Sequence, residues 1–250
     1  MIFDFHTHIG KGDPFYHSSN EEDGLFVLPK KLLTEMDRFN VTKSAVIPNF
    51  HLPHRLFNAN LEMVSSIQDF KDRLFPFAWL DPRVEGVCDQ LETLVKKYNF
   101  KGLKLHPVLN GYYLTNKTVN PLIEKSIDLR IPILIHTGWG PLGNVNLVDT
   151  LAKLYSEAKI VIAHMIEPNC VEIAKNNENV FIETSYAVHP RRIEQAVRAI
   201  GANKIIYGSD YPSGGGMGFE ISKIKFARIN NEEKKMILGN NAIKLLRIRE

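Results

Sequence analysis

Eight apolar runs of strand length punctuate the chain at near-regular intervals: residues 2–5, 44–48, 75–80, 102–106, 132–136, 160–164, 180–184 and 205–208. Most are almost continuously apolar, as strands are when helices cover one face and a packed interior the other. Between them lie segments with apolar residues three and four apart, at 29–39, 56–70, 87–98, 120–129, 147–156, 168–175 and 191–200, the signature of amphipathic helices. Two further helical stretches, near 220–227 and 231–246, follow the last strand. Eight alternating units are what a closed parallel barrel requires, and 250 residues is an ordinary length for one. The expectation is an α/β fold, a (β/α)8 TIM barrel with an extra C-terminal helix, as a single domain over residues 1–250. An open doubly wound sheet is the rival, but neither GxGxxG nor GxxxxGK[ST] occurs.

The ends of these runs carry the chemistry. The first reads Phe3-Asp4-Phe5-His6-Thr7-His8, and alternation along a strand aims His6 and His8 at one point, with Phe3 and Phe5 turned the other way. Neutral imidazole is the commonest metal ligand, and a catalytic zinc takes three protein ligands and leaves a position open. Later runs end in Lys104-Leu105-His106, His136, His164 and Asp210. If Leu103 and Leu105 meet the outer helices, the same alternation turns Asp4, Lys104, His106, His136, His164 and Asp210 inward. Most of these sit at the C-terminal strand ends, where barrel enzymes hold their active sites. One strand ending in histidine reads as a core residue; five ending in His or Asp on one rim read as a site.

With those residues in view, the chain resembles the amidohydrolase superfamily. The likeness rests on His6-Thr7-His8, Gly102-Leu103-Lys104-Leu105-His106-Pro107, His136, His164 and Gly208-Ser209-Asp210-Tyr211-Pro212. It is nearest the amidohydrolase 2 branch, which includes aminocarboxymuconate semialdehyde decarboxylase and related acid decarboxylases. The tail from Asn231 to Ala242 is similar to that branch's closing helix. The resemblance implies that His6, His8, His136 and Asp210 bind a divalent metal, with zinc as the expected ion, and that His164 acts beside it as acid or electrophile. Asp210 would take a proton from metal-bound water. Members with two metals bridge them through a carboxylated lysine, so Lys104 joins the ligands only in a two-metal site; otherwise it is a substrate or ion-paired residue. The resemblance also implies a homodimer.

Substrate contacts are expected from the loops: His51, with His54 and Arg55, after strand two; His106 after strand four; Trp139 after strand five; Arg191 and Arg192 at the start of helix seven, where backbone N–H groups already favour an anion. Lys11 and Asp13 lie in the first loop. A small carboxylate-bearing substrate follows, although each arginine reads equally well as a solvated helix face. Glu183-Thr184-Ser185 reads either as an orienting group for a ligand histidine or as core. The glycines at 214–216 read as a lid or as a close turn over the barrel mouth.

Composition narrows the partners. A net charge of +3, from 31 basic and 28 acidic residues spread along the chain, argues against a nucleic-acid groove and so against a nuclease of this superfamily. The two cysteines, Cys88 and Cys170, read as reduced thiols. The chain starts on a strand without a basic leader, and no run approaches the ~18 apolar residues of a membrane span. The expectation is a cytoplasmic protein without membrane contact. The first functional reading is hydrolysis of an ester, lactone or amide of a small organic acid. The alternative is non-oxidative decarboxylation of an unsaturated or aromatic acid at the same metal site, and a metal-binding barrel without turnover is the non-enzymatic rival.

Overall fold

The computed structural model describes residues 1–13 and 26–248, so residues 14–25 and the last two of the expected domain fall outside it. Eight parallel strands follow one another in sequence order, each bonded to the next: β1 (Phe3–Ile9), β2 (Lys43–Pro48), β3 (Leu74–Trp79), β4 (Gly102–Leu105), β5 (Ile133–His136), β6 (Ile160–Ala163), β7 (Val180–Glu183) and β8 (Ile205–Ile206). The ring closes through backbone bonds from Phe5 N–H to Tyr207 O (3.0 Å) and from His8 N–H to Tyr211 O (2.7 Å). The connecting helices are α1 (Pro29–Arg38), α2 (Leu56–Ser66), α3 (Val87–Tyr98), a one-turn α4 (Pro107–Asn110), α5 (Asn120–Asp128), α6 (Asn146–Leu154), α7 (Cys170–Asn176) and α8 (Pro190–Ile200). This is a (β/α)8 barrel.

The core has two layers. Leu103, Leu105, Ile133, Ile135, Ile160, Ile162 and Ile182 face outward and pack on the buried stripes of the helices, such as Leu91 and Leu94 of α3. The alternate residues Phe75, Phe77, Leu134, Val161 and Ile206 fill the lumen. Gly102 faces the Phe77 ring so closely that a Cβ there would lie 2.6 Å from it, which is why the ring can cross the lumen.

Strand β1 departs from simple alternation. Phe3 and Phe5, expected on the outer face, lie in the lumen, with Phe3 near Phe75 and Phe5 edge-on to Phe77 at 5.1 Å. The β1–β2 register shifts between Asp4 and Thr7, and an irregularity of this kind resets which face the following side chains take. His6 and His8 therefore still point into the lumen. Asp4, expected to face inward, instead accepts bonds from the N–H groups of His6 (3.1 Å) and Ser209 (2.9 Å).

After β8 the chain forms α9 (Met217–Phe226) and a C-terminal helical stretch: α10 (Asn231–Lys235), a π-helical turn at Met236–Asn240 and α11 (Asn241–Leu246). A capping box between Asn230 and Glu233 starts α10. Gly239 passes within 2.8 Å, measured from a would-be Cβ, of the Met1 carbonyl. Ala242, Ile243 and Leu246 then join the lumen cluster and plug the N-terminal end of the barrel. Among the described residues both cysteines are free thiols, and no helix is long and apolar enough to cross a membrane.

Candidate active site

At the opposite end the lumen becomes polar. His6, His8, Lys104, His136, His164, Glu183 and Asp210 are all buried. His8, Lys104, His136, His164 and Asp210 line a cavity of about 210 Å³, whose walls also include Phe50, Trp79, His106, Leu109 and Trp139.

Two groups of ligand atoms converge among the described residues, each within 4.8 Å: His6–His8–Asp210 and His6–His164–Glu183. In the first, His6 Nε2 lies 3.1 Å and His8 Nε2 3.4 Å from Asp210 Oδ1, and the two Nε2 atoms are 3.3 Å apart. The outer nitrogens are occupied: His8 Nδ1 faces Pro48 O at 3.1 Å and His6 Nδ1 faces Glu183 Oε2 at 3.1 Å. A neutral ring that donates from Nδ1 presents only a lone pair at Nε2. Two imidazole lone pairs and a carboxylate oxygen thus crowd one another, an arrangement a cation would relieve.

His136 stands apart from this trio. Its Nδ1 is 2.9 Å from His164 Nε2, while its Nε2 is buried without a hydrogen-bond partner among the described residues. An unmet buried nitrogen costs about 1–3 kcal/mol. The converging donors of the trio, two imidazoles and a carboxylate, suit a divalent ion.

Electrostatics keep the set ready to bind. Burial, and then the neighbouring Lys104 ammonium, hold His6 well below the ordinary histidine range; burial does the same to His136 and His164. Asp210 is opposed by its own burial, yet His6, His8 and Lys104 together hold its carboxyl below the usual range. Burial draws the Lys104 ammonium down to about 8. Lys104 Nζ sits 2.9 Å from His6 Nε2.

The backbone is strained where the site is built. Trp139, His164, Tyr186 and Asp210 have φ of +61°, +73°, +58° and +52°, each just after a strand. Such conformations cost of order 1–2 kcal/mol for side chains like these.

His164 was expected beside the substrate; both its ring nitrogens are engaged, Nε2 by His136 and Nδ1 by Ser185 Oγ at 2.7 Å, although its ring lines the cavity. His106 stacks between His136 (3.8 Å, 14°) and Trp79 (5.3 Å, 15°). Trp139, 56% exposed, stands at the mouth. His51, Arg191 and Arg192 are not among the cavity's lining residues. His51 lies beside Lys11 and Asp13, and Arg55 is paired with Asp13 at 3.4 Å. Arg192 donates to the carbonyls of Glu167 (2.7 Å) and Pro168 (2.8 Å), and Arg191 is exposed. The glycine loop is a close turn: a Cβ on Gly214 would meet the Ser209 carbonyl at 2.2 Å, and Tyr186 OH donates to Ser213 O at 2.9 Å.

Sequence reasoning overlooked Asn49, Phe50, Trp79 and Leu109, all on the cavity wall. Trp79 had a signal: Phe75, Phe77 and Trp79 form one stripe of β3, so once the phenylalanines fill the lumen the tryptophan must reach its upper end.

Solved structures share this architecture at low sequence identity, which speaks to fold alone. The 5-carboxyvanillate decarboxylase of Sphingomonas paucimobilis superposes with a TM-score of 0.82 at 15% identity, covering 99% of each chain. A dihydroxybenzoic acid decarboxylase of Polaromonas sp. JS666, with bound manganese and the inhibitor 2-nitroresorcinol, gives 0.78 at 16% over 100% of this chain and 97% of that one. A "probable 2-pyrone-4,6-dicarboxylic acid hydrolase" of Acinetobacter baumannii, with citric acid bound, gives 0.72 at 17% over 99% of both. A search of curated protein sequences returned no match. The amidohydrolase family profile, by contrast, aligns with residues 3–248, from the first strand to the helix that plugs the barrel, and on that match the chain belongs to the amidohydrolase family of enzymes.

Proposed function

We propose that the protein is a metal-dependent carboxy-lyase that removes the carboxylate of a small, planar, unsaturated or aromatic acid as CO2. The observation that carries this is the aromatic wall of the cavity, where the stack of Trp79, His106 and His136 stands beside Phe50, Leu109 and Trp139. Aromatic rings of this kind pack favourably, edge-on or offset, against a planar unsaturated substrate, and an apolar enclosure weakens the hydration that favours a free carboxylate over CO2. The similar decarboxylases named above act on aromatic acids, which supports the reading.

His6, His8, His136 and Asp210 would hold one divalent ion, zinc or manganese, which when bound supplies a Lewis acid for the substrate's oxygens. The rest falls to the chain. Lys104, the cation on the cavity floor, pairs with the carboxylate or an adjacent oxygen. Trp79 and His106 pack against the acid from the cavity wall. Asp210 takes up a proton from water or a substrate hydroxyl and delivers it to the carbon that loses CO2; the C–C bonding pair stays on that carbon and forms the new C–H bond.

A second reading, hydrolysis of an ester, lactone or amide of such an acid, is favoured by Asp210 being held ionised, as a base for water must be. It uses the same residues.

Elemental analysis of the purified protein, followed by a screen of hydroxybenzoates, unsaturated dicarboxylic acids and their lactones and esters, separates the two. Release of CO2 that stops on chelation and returns with added metal is the expected result. Acid formation from a lactone or ester without CO2 establishes the second reading. Absence of metal and of turnover overturns both.

A further inference from the structure

Glu183, at the end of β7, is completely buried and sits at the centre of a converging set of donors. Its Oε1 accepts from Ser185 N–H; its Oε2 is approached by His6 Nδ1 at 3.1 Å, Ser185 Oγ at 2.8 Å and His164 N–H at 3.2 Å. Across the strand pair, a Cβ on Gly208 would come within 2.6 Å of the Glu183 carboxyl, so the bare glycine makes room for it.

The bonds fix one pattern of protons. The Ser185 hydroxyl donates to Glu183, so its oxygen must accept from His164 Nδ1–H at 2.7 Å. With its proton on Nδ1, neutral His164 offers a lone pair at Nε2, which accepts from His136 Nδ1–H at 2.9 Å. That leaves His136 Nε2 as a lone pair, which is the buried nitrogen without a partner. On the other branch His6 Nδ1–H donates to Glu183 and frees His6 Nε2 toward Asp210. Both branches end with a lone pair presented to the site.

We infer that Glu183 is a positioning residue that sets two ligand histidines from one carboxylate, His6 directly and His136 through Ser185 and His164. The inference rests on the metal-site reading proposed above. Outer partners of this kind orient ligand imidazoles and fix their tautomers, and their loss weakens metal binding about 10–100-fold. His164 is then a link between ligand and hub as well as part of the cavity wall.

The test combines histidine ¹⁵N NMR on the metal-free chain with titration of Mn²⁺ and Zn²⁺ into the wild type, Glu183→Gln and Ser185→Ala. In the wild type, His6, His136 and His164 should all carry the proton on Nδ1. Ser185→Ala should release the tautomers of His164 and His136 and leave His6 unchanged, while Glu183→Gln should disturb His6 as well and weaken metal binding about 10–100-fold. A wild-type proton on Nε2 of His6 or His136, or unchanged affinity in Glu183→Gln, overturns the hub. A wild type that binds neither ion overturns the metal-site reading instead, and the tautomer pattern still decides the hub.

Discussion

The two ends of the barrel lumen are built by the same strands and hold opposite kinds of matter. The N-terminal half is a plug of Phe3, Phe5, Phe75, Phe77, Leu134, Val161 and Ile206 against α11. Each such side chain contributes roughly 1.5–3 kcal/mol on burial. The C-terminal half buries His6, Lys104, His136, His164, Glu183 and Asp210, groups whose desolvation opposes folding. The backbone repeats the contrast. At the N-terminal end, left-handed residues such as Asn40, Asn99 and Arg130 lie where helices end; at the other end His164, Asp210, Trp139 and Tyr186 take that conformation in the loops that carry the site. Half of the lumen stores stability and half spends it on positioning.

That division is broken most directly from below. Phe77→Ala removes a fully buried ring and is expected to cost about 3–5 kcal/mol in urea unfolding, while turnover per folded molecule holds. Loss of turnover at unchanged stability would show that the two halves are not separate.

From above, Asp210→Asn should lower turnover at least ~10²-fold, the scale of a lost acid–base group. The unfolding midpoint of the metal-free protein should fall, because the charge that His6, His8 and Lys104 favour is gone and the buried Lys104 ammonium loses its partner. Near-normal turnover would remove Asp210 from the chemistry. His136→Ala follows, with metal affinity falling by at least ~10-fold in equilibrium dialysis and the circular dichroism unchanged. Full metal occupancy in that variant would strike His136 from the ligand set and leave its unpartnered nitrogen without an account.

The same division explains what could be read in the sequence. The outer layer and the strand-helix alternation were legible because burial on both faces makes strands apolar and helices periodic, as in Leu103 and Leu105 beside Lys104. The inward histidines were legible because polar residues interrupt such runs at their ends. Phe3 and Phe5 were misplaced because the register shift after Asp4 leaves no mark in composition. Glu183 was legible only as one of two readings, since its role depends on Ser185, His164 and His6, residues up to 177 positions away. Loop residues were the least legible: a basic side chain near a strand end has no periodicity to show whether it meets substrate or a neighbouring loop.

Arg192 sharpens that last point with the smallest expected effect. From sequence it opens a helix on the active face of the barrel and suits a substrate carboxylate. In the fold its guanidinium bonds the carbonyls of Glu167 and Pro168, which lead from β6 into α7, and the cavity's lining residues do not include it. A side chain whose donors already serve backbone carbonyls would have to abandon them to reach a ligand. Arg192→Ala is therefore expected to lower stability by about 1 kcal/mol, through the lost loop tie, and to leave KM and kcat within about twofold. Chemical denaturation and steady-state kinetics on the same preparation measure both. A tenfold rise in KM at unchanged stability would place the substrate's carboxylate at the rim, and the walls of the lumen would no longer account for recognition.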